Sequence, residues 1–173
     1  YLVIFTDKLT YANNRISGWL DPFSPAAGVD TWQTRQGLYA IGSGGVLGLG
    51  LGNSRQKYLY IPEPQNDFIF SVVCEELGFI GAIFILLLFA LLVWRGMIIA
   101  IRAKDKFGML LGIGLTAQVG LQVILNISVV TNTIPNTGIS LPFFSYGGTS
   151  LMMLLAQMGV ILSISRSSHM QKN

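Results

Sequence analysis

The chain has 173 residues, of which 51% are hydrophobic and only 11% charged. A soluble domain carries roughly 25% charged residues, so this composition points to lipid rather than water as the solvent. A net charge of +3 is too small to argue for nucleic acid, and a single cysteine, Cys74, excludes an internal disulfide. The lone His169 lacks the companions that a metal site needs.

The chain opens on "YLVIF", which reads as the end of a membrane span that starts earlier, so the sequence is expected to be part of a longer protein. Residues 6–66 follow as a long polar and turn-rich loop, and loops of this length tend to be functional. Within it "GLYAIGSGGVLGLGLG" holds seven glycines in sixteen residues. It is too glycine-rich for a span and is predicted to be a short helix followed by a flexible hairpin dipping toward the membrane. Irregular backbone at that depth must be buried in protein or wetted by a cavity.

Three apolar runs approach the ~20 residues that a bilayer requires, at 68–94, 107–130 and 149–164. The third is short and would need snorkelling or thinning. The fold class expected is an all-α, polytopic membrane helix bundle with a large loop carrying short helices. Arg95, Arg102, Lys104 and Lys106 crowd the connection 95–106, whereas 131–148 has no lysine or arginine. By the positive-inside rule the first connection and the tail 165–173 are cytoplasmic, and both 6–66 and 131–148 face outside.

In "YIPEPQNDFIF" the prolines force extended backbone, so Gln65, Asn66 and Asp67 are expected to fill the cap and first turn of the first span. Asp67 is then either a helix-start residue or a carboxylate held at the membrane surface for chemistry. Arg55 and Lys57 precede it on the outer side, against the charge bias. They read as headgroup anchors or as a phosphate clamp that Arg35 could join. Asp67, Ser71 and Glu75 share one helical face, with Glu75 about 12 Å deeper. Gln118, Gln122 and Asn126 form a second stripe, and Gln157 adds a polar group to the third span. These are either interhelical hydrogen bonds or a polar groove for a lipid-linked headgroup. "LPFFSYGGTS" is a turn offering the Ser145 and Tyr146 hydroxyls, with Thr149 or Ser150 as the cap of the third span; no nucleophile elbow is present.

Two longer blocks are specific. "QGLYAIGSGGVLGLGLGNSRQKYLYIPEPQNDFIFSVVCEELGFIG" and "GISLPFFSYGGTSLMMLLAQMGVILSISR", with "IRAKDKFG" between them, resemble the SEDS family (shape, elongation, division and sporulation), closest to its division and sporulation branch, the FtsW/SpoVE type. The resemblance runs from about Ile16 to Arg166; "QGLYAIG" stands where "QSLIAIG" is commoner. It implies the C-terminal portion of a ten-helix peptidoglycan glycosyltransferase of the bacterial cytoplasmic membrane. Such a protein polymerises lipid II, extends a glycan chain and releases undecaprenyl pyrophosphate, working with a class B penicillin-binding protein and other divisome or elongation proteins. The family's essential aspartate matches Asp67, the expected general base. Arg55, Lys57, Glu63, Glu75, Gln118, Gln122 and Ser145 are the expected substrate contacts, with a divalent cation (magnesium or manganese) as a possible aid at the pyrophosphate and no resident metal site. This portion alone is expected to be inactive. The competing readings are a lipid II flippase, which needs polar groups at mid-depth, and a non-catalytic divisome scaffold, in which Asp67 would tolerate Asn.

Overall fold

A computed structural model describes residues 13–23, 31–54 and 67–169, the side chains of Ser168 and His169 excepted. Arg55, Lys57 and Glu63 lie outside the described residues, as does "YLVIF". Among the described residues there are five helices and no strand: α1 (13–20), α2 (Trp32–Gly44), α3 (Ile69–Ile101), α4 (Lys106–Val130) and α5 (Gly148–His169). The last three are long and apolar enough to cross a membrane. Their outward faces carry exposed Phe84, Leu87, Leu121, Ile124, Met152 and Leu155, the inverse of a soluble bundle.

The spans begin and end differently from the sequence expectation. α3 starts at Ile69 with Phe68 in the cap position, so Asp67 does not open the helix; Gln65 and Asn66 lie outside the described residues. The start is set instead by the fully buried Phe68, whose carbonyl accepts from the Ser71 N–H at 3.0 Å and the Ser71 hydroxyl at 2.6 Å. At its other end α3 continues through "GMIIAI" past Arg95, because nothing there breaks a helix, and the basic connection shrinks to 102–105. Asp105 caps α4 by accepting from the Gly108 N–H at 2.8 Å. α5 begins at Gly148, so Thr149 and Ser150 lie inside it; the Ser150 hydroxyl donates back to the Gly147 carbonyl rather than capping. Its apolar span, Gly148–Ser167, has 20 residues and covers about 30 Å, so it needs no thinning.

α3 and α4 pack antiparallel through small residues: Thr116 lies against Gly96, Ala100 against Gly112, and Val93 against Gly120. In this register Asn126 stands level with Leu86. An unbroken α3 would carry Asp67 about 28 Å beyond that level. The Asp67 carbonyl is nevertheless 2.9 Å from Asn126 Nδ2.

The difference is made at Gly78, whose backbone (φ 68°, ψ −169°) breaks the helix. The turn is tight enough that Leu77 Cβ occupies the place where a side chain on Gly81 would go. Residues 67–77 therefore rise toward the break and 79–101 descend from it. Glu75 lies toward the break, not deeper in the bundle than Asp67 as an unbroken helix would have it.

A broken helix exposes carbonyls and N–H groups that lipid cannot satisfy. The glycine-rich segment after α2 meets this need. Leu49 N–H donates to the Glu75 carbonyl (2.9 Å) and Gly50 N–H to that of Glu76 (3.0 Å). In return Phe79 N–H donates to the Gly45 carbonyl (2.9 Å) and Ile80 N–H to that of Val46 (3.3 Å). The hairpin expected to be flexible is in this stretch pinned to the break by four backbone bonds. α2 itself lies against the rising arm, with Gly37 on the Phe68 ring and Gly44 on the Cys74–Glu75 backbone.

Residues 131–147 form a second irregular segment that turns over the end of α4 and returns beside it. α1 holds its outer part: Arg15 donates to the Asn136 carbonyl at 2.7 Å, and Trp19 and Asn132 exchange side-chain-to-carbonyl bonds at 2.9 and 3.1 Å. Its inner part reaches the core, where Leu141 is 1% exposed and the Phe144 ring centroid is 6.0 Å from that of Phe89.

Candidate active site

Asp67 is half-buried at the foot of the rising arm. Its carboxylate faces Gly138 of the returning segment: a side chain built on Gly138 would meet Asp67 Oδ2 at 3.5 Å. Gly138 adopts a positive φ of 70° and its N–H is held by Asn136 Oδ1 at 3.0 Å. "NTG" at 136–138 is thus an Asx-type turn that brings bare backbone beside the aspartate.

The inward run of that segment, 139–145, lacks helix or sheet partners, and α4 supplies them. Asn126 Nδ2 donates to the Ile139 carbonyl at 2.7 Å, and Gln122 Nε2 to the Ser140 carbonyl at 3.0 Å. Ser145 closes the run, its N–H and hydroxyl both reaching the Leu141 carbonyl at 3.2 and 3.0 Å. Phe143 is a non-glycine residue at φ 65°, packed against the core. Such a conformation costs ~1–3 kcal/mol and persists only where surroundings over-determine it.

The other expected site residues lie elsewhere. Gln118 is on the outward side of α4, about 12 Å along the helix from Asn126, and its Oε1 faces Gln157 Nε2 at 3.4 Å. The expected polar stripe is therefore divided between bracing the returning segment and linking α4 to α5. Glu75 is 1% exposed, beneath the glycine-rich segment, where Ser54 donates to its Oε2 at 2.5 Å. Arg35, half-buried, has its guanidinium 5.7 Å from the Trp32 ring centre. Sequence reasoning did not single out Gly138, Ser54 or Gly78. Asn136-Thr-Gly138 was a legible turn signal, whereas nothing local marks the other two.

Below Asp67 an open apolar groove of about 430 Å³ runs between α3 and α4, lined by Leu86, Phe89, Val93, Gly120, Val123 and Ile127. Its upper end, at Leu86 and Ile127, is level with Asn126 and so with the Asp67 backbone. Among the described residues no three His, Cys, Asp or Glu side chains gather in a metal-holding group. What the site offers is a partly exposed carboxylate beside bare backbone, level with the upper end of an apolar groove. That arrangement suits a polar headgroup carried on a long lipid tail.

This helix bundle, with its broken span and its returning segment, is a recognisable membrane architecture. It aligns with one chain of a peptidoglycan synthase complex that coordinates polymerization and crosslinking (TM-score 0.69, 30% identity, 91% of this chain and 42% of that one). It also aligns with a mutant of the rod shape determining protein RodA from Thermus thermophilus (TM-score 0.58, 34% identity, 76% and 40%). The family model described as "Cell cycle protein", FtsW/RodA/SpoVE, matches residues 1–170. Stage V sporulation protein E of Bacillus subtilis is 51% identical over 158 residues, 91% of this chain and 43% of that protein. The probable peptidoglycan glycosyltransferase FtsW of Trichlorobacter lovleyi is 44% identical over 165 residues, 95% and 42%. The chain belongs to the FtsW/RodA/SpoVE family, and it spans less than half the length of the relatives it matches.

Proposed function

We propose that the whole protein is a peptidoglycan glycosyltransferase of the bacterial inner membrane that polymerises lipid II, with Asp67 as its general base. The observation that carries this reading is the placement of Asp67: a half-buried carboxylate facing Gly138, level with the upper end of an apolar groove between α3 and α4. In the reaction the 4-hydroxyl oxygen of one lipid-linked disaccharide attacks the anomeric carbon of another chain. The new O–C1 bond forms as the bond from C1 to the pyrophosphate oxygen breaks, with inversion. Asp67 takes the hydroxyl proton and undecaprenyl pyrophosphate leaves as an anion. The groove holds polyprenyl chain, and the cations of the preceding loop face the leaving charge; magnesium or manganese, if bound to the pyrophosphate, would add counter-charge there. A class B penicillin-binding protein then crosslinks the product, by analogy with the synthase complex above. The reading is tested by lipid II polymerisation with full-length Asp67→Asn protein.

Orientation is part of the proposal. Asp67, 131–147 and α1 share one end of the bundle, and Arg102, Lys104 and Lys106 mark the other. With the basic end in the cytoplasm, the active site opens outside and the C-terminus lies inside. A membrane-impermeant maleimide added to intact spheroplasts will label Asn136→Cys and spare Lys104→Cys; native Cys74 is buried and gives no background. The reverse pattern would place the site on the wrong side for its substrate.

The roles of Arg55 and Lys57 are open to a separate measurement. With Ala at either position, the KM for lipid II is expected to rise about 10-fold or more while the melting temperature holds, since charge-assisted bonds to phosphate are worth ~1.5–3 kcal/mol. Lys57→Arg will recover only part of the loss. Unchanged kinetics in both alanine variants would make them headgroup anchors. Glu63, Gln118, Gln122 and Ser145 stay in the proposal as substrate contacts, and Gln118 requires that the headgroup reach beyond the opening beside Asp67. Glu75, expected among them, is buried beneath the glycine-rich segment against Ser54 and has no surface to offer a substrate.

A further inference from the structure

Asn126 is fully buried, and both protons of its amide are spent on backbone carbonyls far apart in sequence, those of Asp67 and Ile139. Its Oδ1 has no hydrogen-bond partner among the described residues. One side chain from α4 thus ties the foot of the rising arm to the returning segment, and Gly138, next to Ile139, is the residue facing the Asp67 carboxylate. A group that served only to fill this space would be better apolar, because a buried carbonyl oxygen left unbonded costs free energy. A single NH₂ group is suited to hold two carbonyls at a set separation. We propose that Asn126 is a positioning residue for the glycosyl transfer, fixing the Asp67 carboxylate against the Gly138 backbone. It touches neither sugar nor pyrophosphate and acts through Asp67. This rests on the reading of Asp67 as the base.

The consequence is kinetic. Without the clamp the rising arm and the returning segment can separate, and a displacement of about 1 Å at a reacting group costs on the order of 10²-fold in rate. The loss will fall on kcat, because the groove and the cationic loop are untouched, and Gln122 and Ser145 keep their own bonds to the returning segment.

The test is a double-mutant cycle in full-length protein, reading lipid II polymerisation alongside the melting temperature. The four members are the native protein, Asn126→Leu, Asp67→Asn and the double variant. Asn126→Leu is expected to lower kcat by about 10²-fold with KM changed less than about 3-fold, assayed well below its melting temperature. In the Asp67→Asn background the same change is expected to cost less than about 2-fold, because a residue that works through Asp67 has nothing left to position. Equal losses in both backgrounds would show a merely structural role and overturn the proposal. So would native kcat in Asn126→Leu, with Asp67 still the base if Asp67→Asn is dead. Near-native activity in Asp67→Asn would instead defeat the proposed function itself. If Asn126→Leu does not yield monodisperse protein, Asn126→Asp keeps the shape, loses the paired donors and replaces it in the cycle with the same expectations.

Discussion

Full-length protein carrying Asp67→Asn will insert normally, keep its melting temperature and make about 10²–10⁴-fold less glycan polymer from lipid II than the native protein. The substitution is nearly isosteric and leaves the backbone carbonyl, which Asn126 holds, in place. It also leaves the helix start intact, since Phe68 occupies the cap position and its carbonyl accepts from the Ser71 N–H and hydroxyl. Because Asn keeps the size and an accepting oxygen, a rate loss without a stability loss isolates the proton-accepting role. Polymerisation within a few-fold of native would remove Asp67 from the chemistry and revive the scaffold reading. Substrate binding, measured separately with labelled lipid II, is expected to change little, because the carboxamide still accepts a hydrogen bond.

The second large effect is on stability, and it separates two glycines of the same sequence run. Gly48→Ala will destabilise the protein by about 3–5 kcal/mol, while Gly42→Ala will be neutral or stabilise it by up to ~1 kcal/mol. A Cβ on Gly48 would lie 2.2 Å from the Glu76 carbonyl oxygen and 2.6 Å from the Gly78 nitrogen, and φ is +78°. These are backbone atoms on both sides of the break, so no rotamer can relieve the clash. To yield, the glycine-rich segment must lift off, exposing the carbonyls of Glu75 and Glu76 and the N–H groups of Phe79 and Ile80 to lipid. Gly42 is helical and has open space around it. Denaturant unfolding in detergent, followed by near-ultraviolet dichroism, will rank the two variants. Equal midpoints would mean that the hairpin does not lock the break.

Much of the architecture was legible in local pattern. The three apolar runs, their separation by a basic and a non-basic connection, and the turn chemistry of "NTG" and "LPFFSYGG" follow from solvent preference and backbone propensity acting over a few residues. The two long motif blocks were specific enough to name the family, and Asp67 came with them.

What tertiary contact decided is the path between those runs. Apolar periodicity across "EELGFIGAIF" is continuous, so the sequence reads as one helix. Gly78 permits a break, but the break is stable only because the backbone of 45–50, some thirty residues earlier, satisfies its open hydrogen bonds. That contact reverses the sense of the rising arm and brings Asp67 back to the level of Asn126. It also puts Glu75 near the break, and the contact with Ser54 buries it. The same holds for the polar stripe of α4. Its residue types announce that hydrogen bonds are needed in lipid, but an amide does not encode its partner. Gln122 and Asn126 donate to carbonyls of an irregular segment and of Asp67, while Gln118 accepts from Gln157, because polar groups in a low-dielectric medium bond whatever unsatisfied group the folded chain brings within reach.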